Sequence, residues 1–339
     1  MIRLLFVNFA VLATGLLILE AVFGRWFWAG PLDKILVPRN AHVIYHIDTP
    51  TGKRDVLYTT DAFGLRGKHA RPADIDVLTI GGSTTNQARI TDGETWQDVM
   101  TERFAADGRR LIVSSAGVDG HSTVGHIKSF SLWLNHVPGL KPKWILAYIG
   151  INDRHIRPEK DRLALHEIDV SLKRRITENS AIYQLYRIVR GMIEAEAYDV
   201  AHMRKGTGAP ERRQPFAPPP ATAKQQQALA AYEARIRALN AEILRFGARP
   251  IYVTQPLAHA YRDGDDIITR EGMQPADYFW MWRLNARLMR VCAALKAVCI
   301  DLESELKFEP SEFYDFVHNT PAGAEKIGAY LYRELKGTI

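Results

Sequence analysis

The chain has 339 residues, is 47% hydrophobic and 24% charged, and carries a formal charge of +6 from 44 basic and 38 acidic side chains. These values exclude a disordered, collagen-like or disulfide-scaffold protein, and two cysteines are too few for a Cys-rich zinc site. The length allows one large domain or two ordinary ones, and so small a net charge does not argue for nucleic acid.

The first element is an apolar run. Residues 4–24 contain one ionisable side chain, Glu20, and are bracketed by Arg3 and Arg25. As a helix such a run spans about 30 Å, the thickness of a bilayer core. Trp26, Phe27 and Trp28 follow, as interfacial aromatics do. A buried core helix would show a polar face, which this run lacks. A cleaved signal peptide would have a shorter apolar stretch and a small-x-small cleavage site. Residues 1–30 therefore read as an uncleaved single-span anchor. Arg25, Lys34 and Arg39 after the span slightly favour a cytoplasmic C-terminal side, but large domains are translocated against that bias, so charge does not settle orientation.

Residues 31–72 read as an extended, turn-rich lead-in segment. From residue 73 to 339 the pattern becomes regular. Strands are predicted at residues 76–80, 111–113, 144–149, 250–254 and 298–302. Helices are predicted at 95–106, 124–134, 222–246, 278–296 and 321–335. Short, continuously apolar strands alternating with helices are the pattern of a parallel sheet covered on both faces. The predicted fold is α/β: a three-layer flavodoxin-like sandwich with a five-stranded parallel sheet, plus the N-terminal transmembrane helix. Functional residues then belong at the carboxyl ends of the strands.

An insertion at about residues 155–221 breaks the rhythm. Residues 180–193 have helical spacing, whereas 204–221 hold Gly, Pro and basic residues without periodicity and read as a mobile loop. Residues 154–213 carry 13 Lys/Arg against 9 Asp/Glu, so most of the net charge sits here. That excess fits a solvated surface, or contact with an anionic lipid or glycan.

Four blocks carry candidate chemistry. Ile80-Gly81-Gly82-Ser83 presents a serine on a tight turn after a strand; by itself it equally fits a helix cap. No phosphate-loop pattern is present. Ala116-Gly117-Val118-Asp119-Gly120 follows the second strand and fits either a plain turn or a close backbone approach to a ligand. Gly150-Ile151-Asn152-Asp153 ends the third strand, where a neutral amide can donate into the same crevice. Asp315 and His318 are three apart, and a carboxylate so placed can orient an imidazole if the segment is a helical turn. Arg154 and His155 should sit near the pocket and bind or shape a polar substrate. Arg66 is expected to pack the lead-in segment on the core, and Trp144 to be core. Cys292 and Cys299, seven apart, are expected as two buried thiols, with a short-range disulfide as the alternative. His121, His126, His155 and His259 lack metal-ligand spacing, so no metal and no cofactor is expected.

Together the blocks resemble the SGNH (GDSL-like) hydrolase superfamily, as a membrane-anchored GGST-type member. The resemblance covers about residues 74–156 and 249–335. The first block reads GGST, with Gly82 where the familiar pattern has Asp. Asp61-Ala62-Phe63-Gly64-Leu65-Arg66 and the strand ending Thr254-Gln255-Pro256 are similar to membrane-anchored relatives. The resemblance implies a catalytic Ser83, His318 as general base, Asp315 as its orienter, and an oxyanion hole from Ser83, Gly120 and Asn152. It also implies a serine esterase acting on acyl, foremost acetyl, esters of a cell-envelope glycan or glycolipid. The alternatives are an acyltransferase with the same triad, a lipid esterase, and a non-catalytic envelope assembly or binding protein. The implied partners are an acylated glycan or lipid substrate, the membrane, and envelope proteins. The implied location is the bacterial inner membrane, single-pass, with a periplasmic catalytic domain.

Overall fold

Five short, largely buried and largely apolar strands supply the centre, the second of them carrying two serines. β3 (Val77–Gly81), β4 (Val113–Ser115), β5 (Trp144–Tyr148), β8 (Arg249–Val253) and β11 (Val298–Ile300) form one parallel sheet in the order β11-β8-β5-β3-β4. The preceding strands are β1 (His42–Thr49) and β2 (Gly52–Thr59). Alternate residues divide between two cores. Leu78, Ile80, Ile145, Ala147 and Tyr252 pack on one side; Val77, Leu146, Tyr148, Ile251 and Val253 pack on the other. The computed structural model describes residues 2–24, 26, 32, 37–49, 52–156, 179–183, 185–186, 196–197, 211–270 and 273–339.

Helices cover both faces. α3 (Trp96–Ala106) and α8 (Pro321–Leu335) bury Trp96, Met100, Phe104, Ile327 and Leu331 against one side. α4 (Thr123–Leu132), α5 (Ala223–Arg245) and α6 (Pro275–Ala294) cover the other with Phe130, Tyr232, Ile236, Leu239, Leu284 and Leu288. Two short helices, α2 (Ser83–Asn86) and α7 (Leu302–Glu305), follow β3 and β11 directly. Caps fix several starts: the Thr95 and Thr222 hydroxyls accept from the N–H groups of Asp98 and Gln225, each in a reciprocal capping box. Strand order reverses beside β3, which places a crevice at the carboxyl ends of β3 and β5.

The apolar run forms α1 (Ile2–Phe23), long and apolar enough to cross a membrane, a property shared with signal sequences. None of its apolar window is buried, so it is not a core helix of this fold. Glu20 accepts hydrogen bonds from Ser180 Oγ and from the N–H groups of Ala181 and Ile182, at the start of a helical stretch within the insertion.

Several expectations need correction. The second strand takes Val113–Ser115 rather than residues 111–113, because its serine hydroxyls are satisfied internally: Ser114 Oγ pairs with His69 Nδ1 and Ser115 Oγ donates to Thr85 O. The lead-in segment contains a regular antiparallel hairpin, β1–β2, with β6 (Glu196–Ala197) paired alongside. Residues 204–210 lie outside the described residues, as does most of the predicted helix at 180–193. The end of the predicted mobile loop is a strand, β7 (Arg212–Pro215), paired to the hairpin of β9 (Ala260–Asp263) and β10 (Asp266–Thr269). Cys292 and Cys299 are bonded rather than free. Lys296, in the left-handed region (φ 54°), turns the chain from α6 into β11 and brings the two Cα atoms to 5.9 Å.

Candidate active site

Ser83 is delivered by the end of β3. Gly82 precedes it in extended conformation and Ser83 opens α2, so the Ser83 N–H belongs to the first turn, where no helical carbonyl faces it. Gly82 allows a close approach: a Cβ there would lie 2.3 Å from Asn152 Nδ2. Gly120, after β4, has φ +76°, a region that a side chain rarely adopts. Asn152 sits in the 3-10 turn Ile151–His155 after β5, and its amide donates to His121 O at 2.8 Å. An amide nitrogen carries two hydrogens, so this bond fixes the amide plane and leaves one donor over.

The fourth segment brings an imidazole to Ser83. His318 Nε2 is 2.7 Å from Ser83 Oγ, and His318 Nδ1 is 2.7 Å from Asp315 Oδ2. Asp315 Oδ1 accepts the N–H groups of Val317 (2.9 Å) and His318 (2.8 Å). The pair therefore does not lie on a turn of helix, as its spacing suggested. The carboxylate itself folds a loop between the 3-10 turn Pro310–Glu312 and α8, and Thr320, not His318, caps α8. Burial alone would raise the Asp315 pKa, but the bonds from His318, Val317 and the His318 backbone outweigh it and hold the carboxyl at about 2. An ionised Asp315 fixes the neutral imidazole with its proton on Nδ1, so that Nε2 accepts from the Ser83 hydroxyl. Ser83, Gly120, Asn152 and His318 line one open pocket of ≈ 260 Å³ with Thr84, Gln87, Arg89, Asp119 and Tyr314.

Supporting contacts explain why these ends converge. Asp153 is buried and accepts Thr123 N–H (3.1 Å), Thr123 Oγ1 (2.6 Å) and Arg235 Nη2 (3.1 Å), tying the Asn152 turn to α4 and α5. Gln255, at the end of β8, accepts the Ile151 N–H at 2.7 Å and donates to Thr84 Oγ1 at 2.8 Å. One amide thus bridges the β3, β5 and β8 ends. The sequence marked Thr254-Gln255-Pro256 by resemblance alone; its position at a strand's carboxyl end is the signal that could have found it. Arg154 is not in the pocket wall: it meets Asp277 at 3.4 Å on α6. The His155 side chain lies outside the described residues.

The residue range that carries these contacts coincides with a family match, since the GDSL-like lipase/acylhydrolase family profile matches residues 79–326. The chain belongs to the GDSL-like lipase/acylhydrolase family. It is thereby placed among ester hydrolases. No curated protein matches the sequence. Among solved structures, the GDSL-like chain is similar to TesA (12% identity over 78% of this chain and 99% of that one, TM-score 0.44). It is also similar to the lipase/acylhydrolase from Enterococcus faecalis (19%, 78% and 96%, TM-score 0.44). A third likeness is to the acetyl xylan esterase AlAXEase (12%, 78% and 100%, TM-score 0.41).

This GDSL-like fold also contains a look-alike of its serine constellation. His69 Nδ1 is 2.9 Å from Ser114 Oγ, and His69 Nε2 is 3.2 Å from Asp61 Oδ2. Ser114 is fully buried in β4. The same three side-chain types there hold the lead-in segment on the sheet, because no carbonyl substrate can approach the hydroxyl.

Proposed function

We propose that this chain is a membrane-anchored serine esterase acting on acyl, foremost acetyl, esters of a cell-envelope glycan or glycolipid. The observation that carries the reading is the Ser83–His318–Asp315 relay, closed at 2.7 Å on both sides of the imidazole and open to a pocket. Ser83 Oγ attacks the ester carbonyl carbon while His318 Nε2 takes the hydroxyl proton. The Ser83 and Gly120 N–H groups and the Asn152 amide hold the carbonyl oxygen as it becomes an oxyanion, each such donor contributing about 10²–10³ in rate. The C–O bond to the alcohol breaks, His318 protonates the leaving alkoxide, and an acyl-Ser83 ester remains. Water, activated by His318, then releases the acid and restores the serine. An acceptor alcohol in place of that water would make the same site an acyltransferase.

The exposed apolar α1 supports an anchor, and the Cys292–Cys299 disulfide suits an oxidising compartment such as a periplasm. The insertion's basic excess suits an anionic surface. The test is acetate release from acetylated glycans and glycolipids by the detergent-solubilised full chain. Ser83→Ala is expected to lower the rate by about 10³-fold or more. Undiminished release by that variant would remove Ser83 from the mechanism. Recovery of the acetyl group on an added alcohol, instead of as acetate, would establish transfer. A reporter fused to the C-terminus and active only in the cytoplasm would overturn the periplasmic placement.

A further inference from the structure

Arg89 lines the pocket with Ser83 and His318, and the acyl-transfer steps do not use it. The loop that carries it is held rigidly. Arg66, only 4% exposed, donates to the carbonyls of Asn86 (2.7 Å), Gln87 (2.8 Å) and Ile90 (2.5 Å), on both sides of Arg89. Gln87, at φ 51°, donates from Nε2 to Gln97 Oε1 at 2.6 Å and accepts the Trp96 N–H. A side chain launched from so fixed a backbone has less freedom to lose when it binds something.

The guanidinium itself is under-used. Its Nη1 is buried and has no hydrogen-bond partner among the described residues. The nearest carboxylate oxygen, Asp315 Oδ2, is 3.8 Å away, beyond hydrogen-bond reach. Asp315 is already served by three bonds of 2.7–2.9 Å from Val317 and His318. Leaving a buried charged donor without an acceptor is costly, and a planar guanidinium matches the paired oxygens of carboxylate or phosphate. The pocket also holds Asp119, whose carboxylate accepts from Asn86 Nδ2 at 2.9 Å. An anionic group is therefore directed to Arg89 and away from Asp119.

We propose that Arg89 anchors the substrate by binding an anionic oxygen group, carboxylate or phosphate, on the alcohol portion of the ester. The placement on the alcohol rests on the esterase reading above, since an acetyl group carries no anion of its own. The substrate class becomes acyl esters of an acidic glycan or glycolipid.

The test uses the full chain with matched probes: 4-acetoxybenzoate, 4-acetoxyphenyl phosphate and the neutral methyl 4-acetoxybenzoate, with acetate release measured. Wild type is expected to favour at least one anionic probe by about tenfold or more in kcat/KM. Arg89→Met should remove that preference, chiefly through KM, so that its loss on the anionic probe exceeds its loss on the neutral probe by about tenfold. Arg89→Lys should restore part of it, because the charge remains without the fork. The two anionic probes separate a carboxylate from a phosphate requirement. Equal turnover of charged and neutral probes by wild type would overturn the proposal. So would an equal loss on all probes in Arg89→Met, which would make Arg89 a partner of Asp315 instead. Calorimetric binding of 4-hydroxybenzoate and 4-hydroxyphenyl phosphate to Ser83→Ala, with and without Arg89→Met, keeps the two readings apart. Arg89-dependent binding without any hydrolysis would sustain the anion site and sink the esterase reading. Hydrolysis without Arg89-dependent binding would do the reverse.

Discussion

At the scale of single residues, Gly82 is the departure from the familiar GDS pattern that the structure explains. A Cβ at that position would meet Asn152 Nδ2 at 2.3 Å. The absent side chain lets the amide lie against the nucleophile turn, where it is held by His121 O. Gly82→Ala is therefore expected to displace the amide, lowering kcat by about 10²-fold with little change in melting temperature. Asn152→Ala should lower kcat by about 10²–10³-fold. Both changes remove one donor, so the double variant should be no slower than Asn152→Ala alone. Steady-state kinetics of the three proteins checks this; additive losses would separate Gly82 from Asn152. Asn152 and Gly82 were legible as chemistry-bearing types at strand ends. Their contact was not, because it joins two turns 70 residues apart.

At the scale of elements, Gln255 does for the sheet edge what a cap does for a helix. Its amide serves Ile151 N–H and Thr84 Oγ1 together, while its backbone carbonyl accepts from Asn285 Nδ2 at 2.9 Å. Gln255→Leu keeps the volume but leaves the Ile151 N–H and Thr84 Oγ1 unpaired, which costs about 1–3 kcal/mol. Urea denaturation should show that loss, accompanied by a lower kcat because both the Ser83 and Asn152 turns shift. The Cys292–Cys299 bond joins the end of α6 to the edge strand β11 across a separation of 7 residues. So short a loop gives about 2 kcal/mol by chain-entropy reasoning. Reduction, or the paired Cys292→Ala and Cys299→Ala change, should lower stability by that order. Four of the core strands and the covering helices were readable because burial on both faces writes continuous apolar runs, whereas β4 was misplaced because two of its three residues are serines. The β1–β2 and β9–β10 hairpins were not readable, since their strands mix polar and apolar residues; in the first of them Ile47, Val56 and Tyr58 are the buried side chains among the described residues.

For the whole molecule, falling pH acts on stability through two buried imidazoles before it acts through Asp315. Burial, aided by Lys128, pushes the His121 pKa down from 6.5 to about 4, and burial beside His121 holds His126 well below 6.5 too. Their folded-state values lie below the unfolded ones, so the unfolded chain binds more protons in that interval. Stability is then complete above about pH 6.5 and falls as the pH drops from 6.5 toward 4. Asp315 has the carboxylate sense: its contribution is present above 3.8 and is lost as the pH falls through about 2. Thermal melts should therefore weaken well before Asp315 protonates, and His121→Phe should flatten the slope between pH 6.5 and 4. An unchanged slope would remove His121 as its source. Since His121 O accepts the Asn152 amide, activity should fall over the same interval.

The sequence by itself determined the parallel α/β layering, the strand ends that carry functional side chains, and an apolar first helix. Those are properties of local periodicity: a strand apolar on both faces must be covered on both faces, whatever its partners. Tertiary structure decided which side chains meet. Ser83 and His318 share a hydrogen bond across 235 positions, the Asp315 carboxylate builds its own turn, and Arg66 holds the loop that carries Arg89 in the pocket wall. It also separated that serine from Ser114, which has its own histidine and aspartate but is fully buried. Access to a substrate belongs to the closed surface of the fold, and no window of sequence contains it.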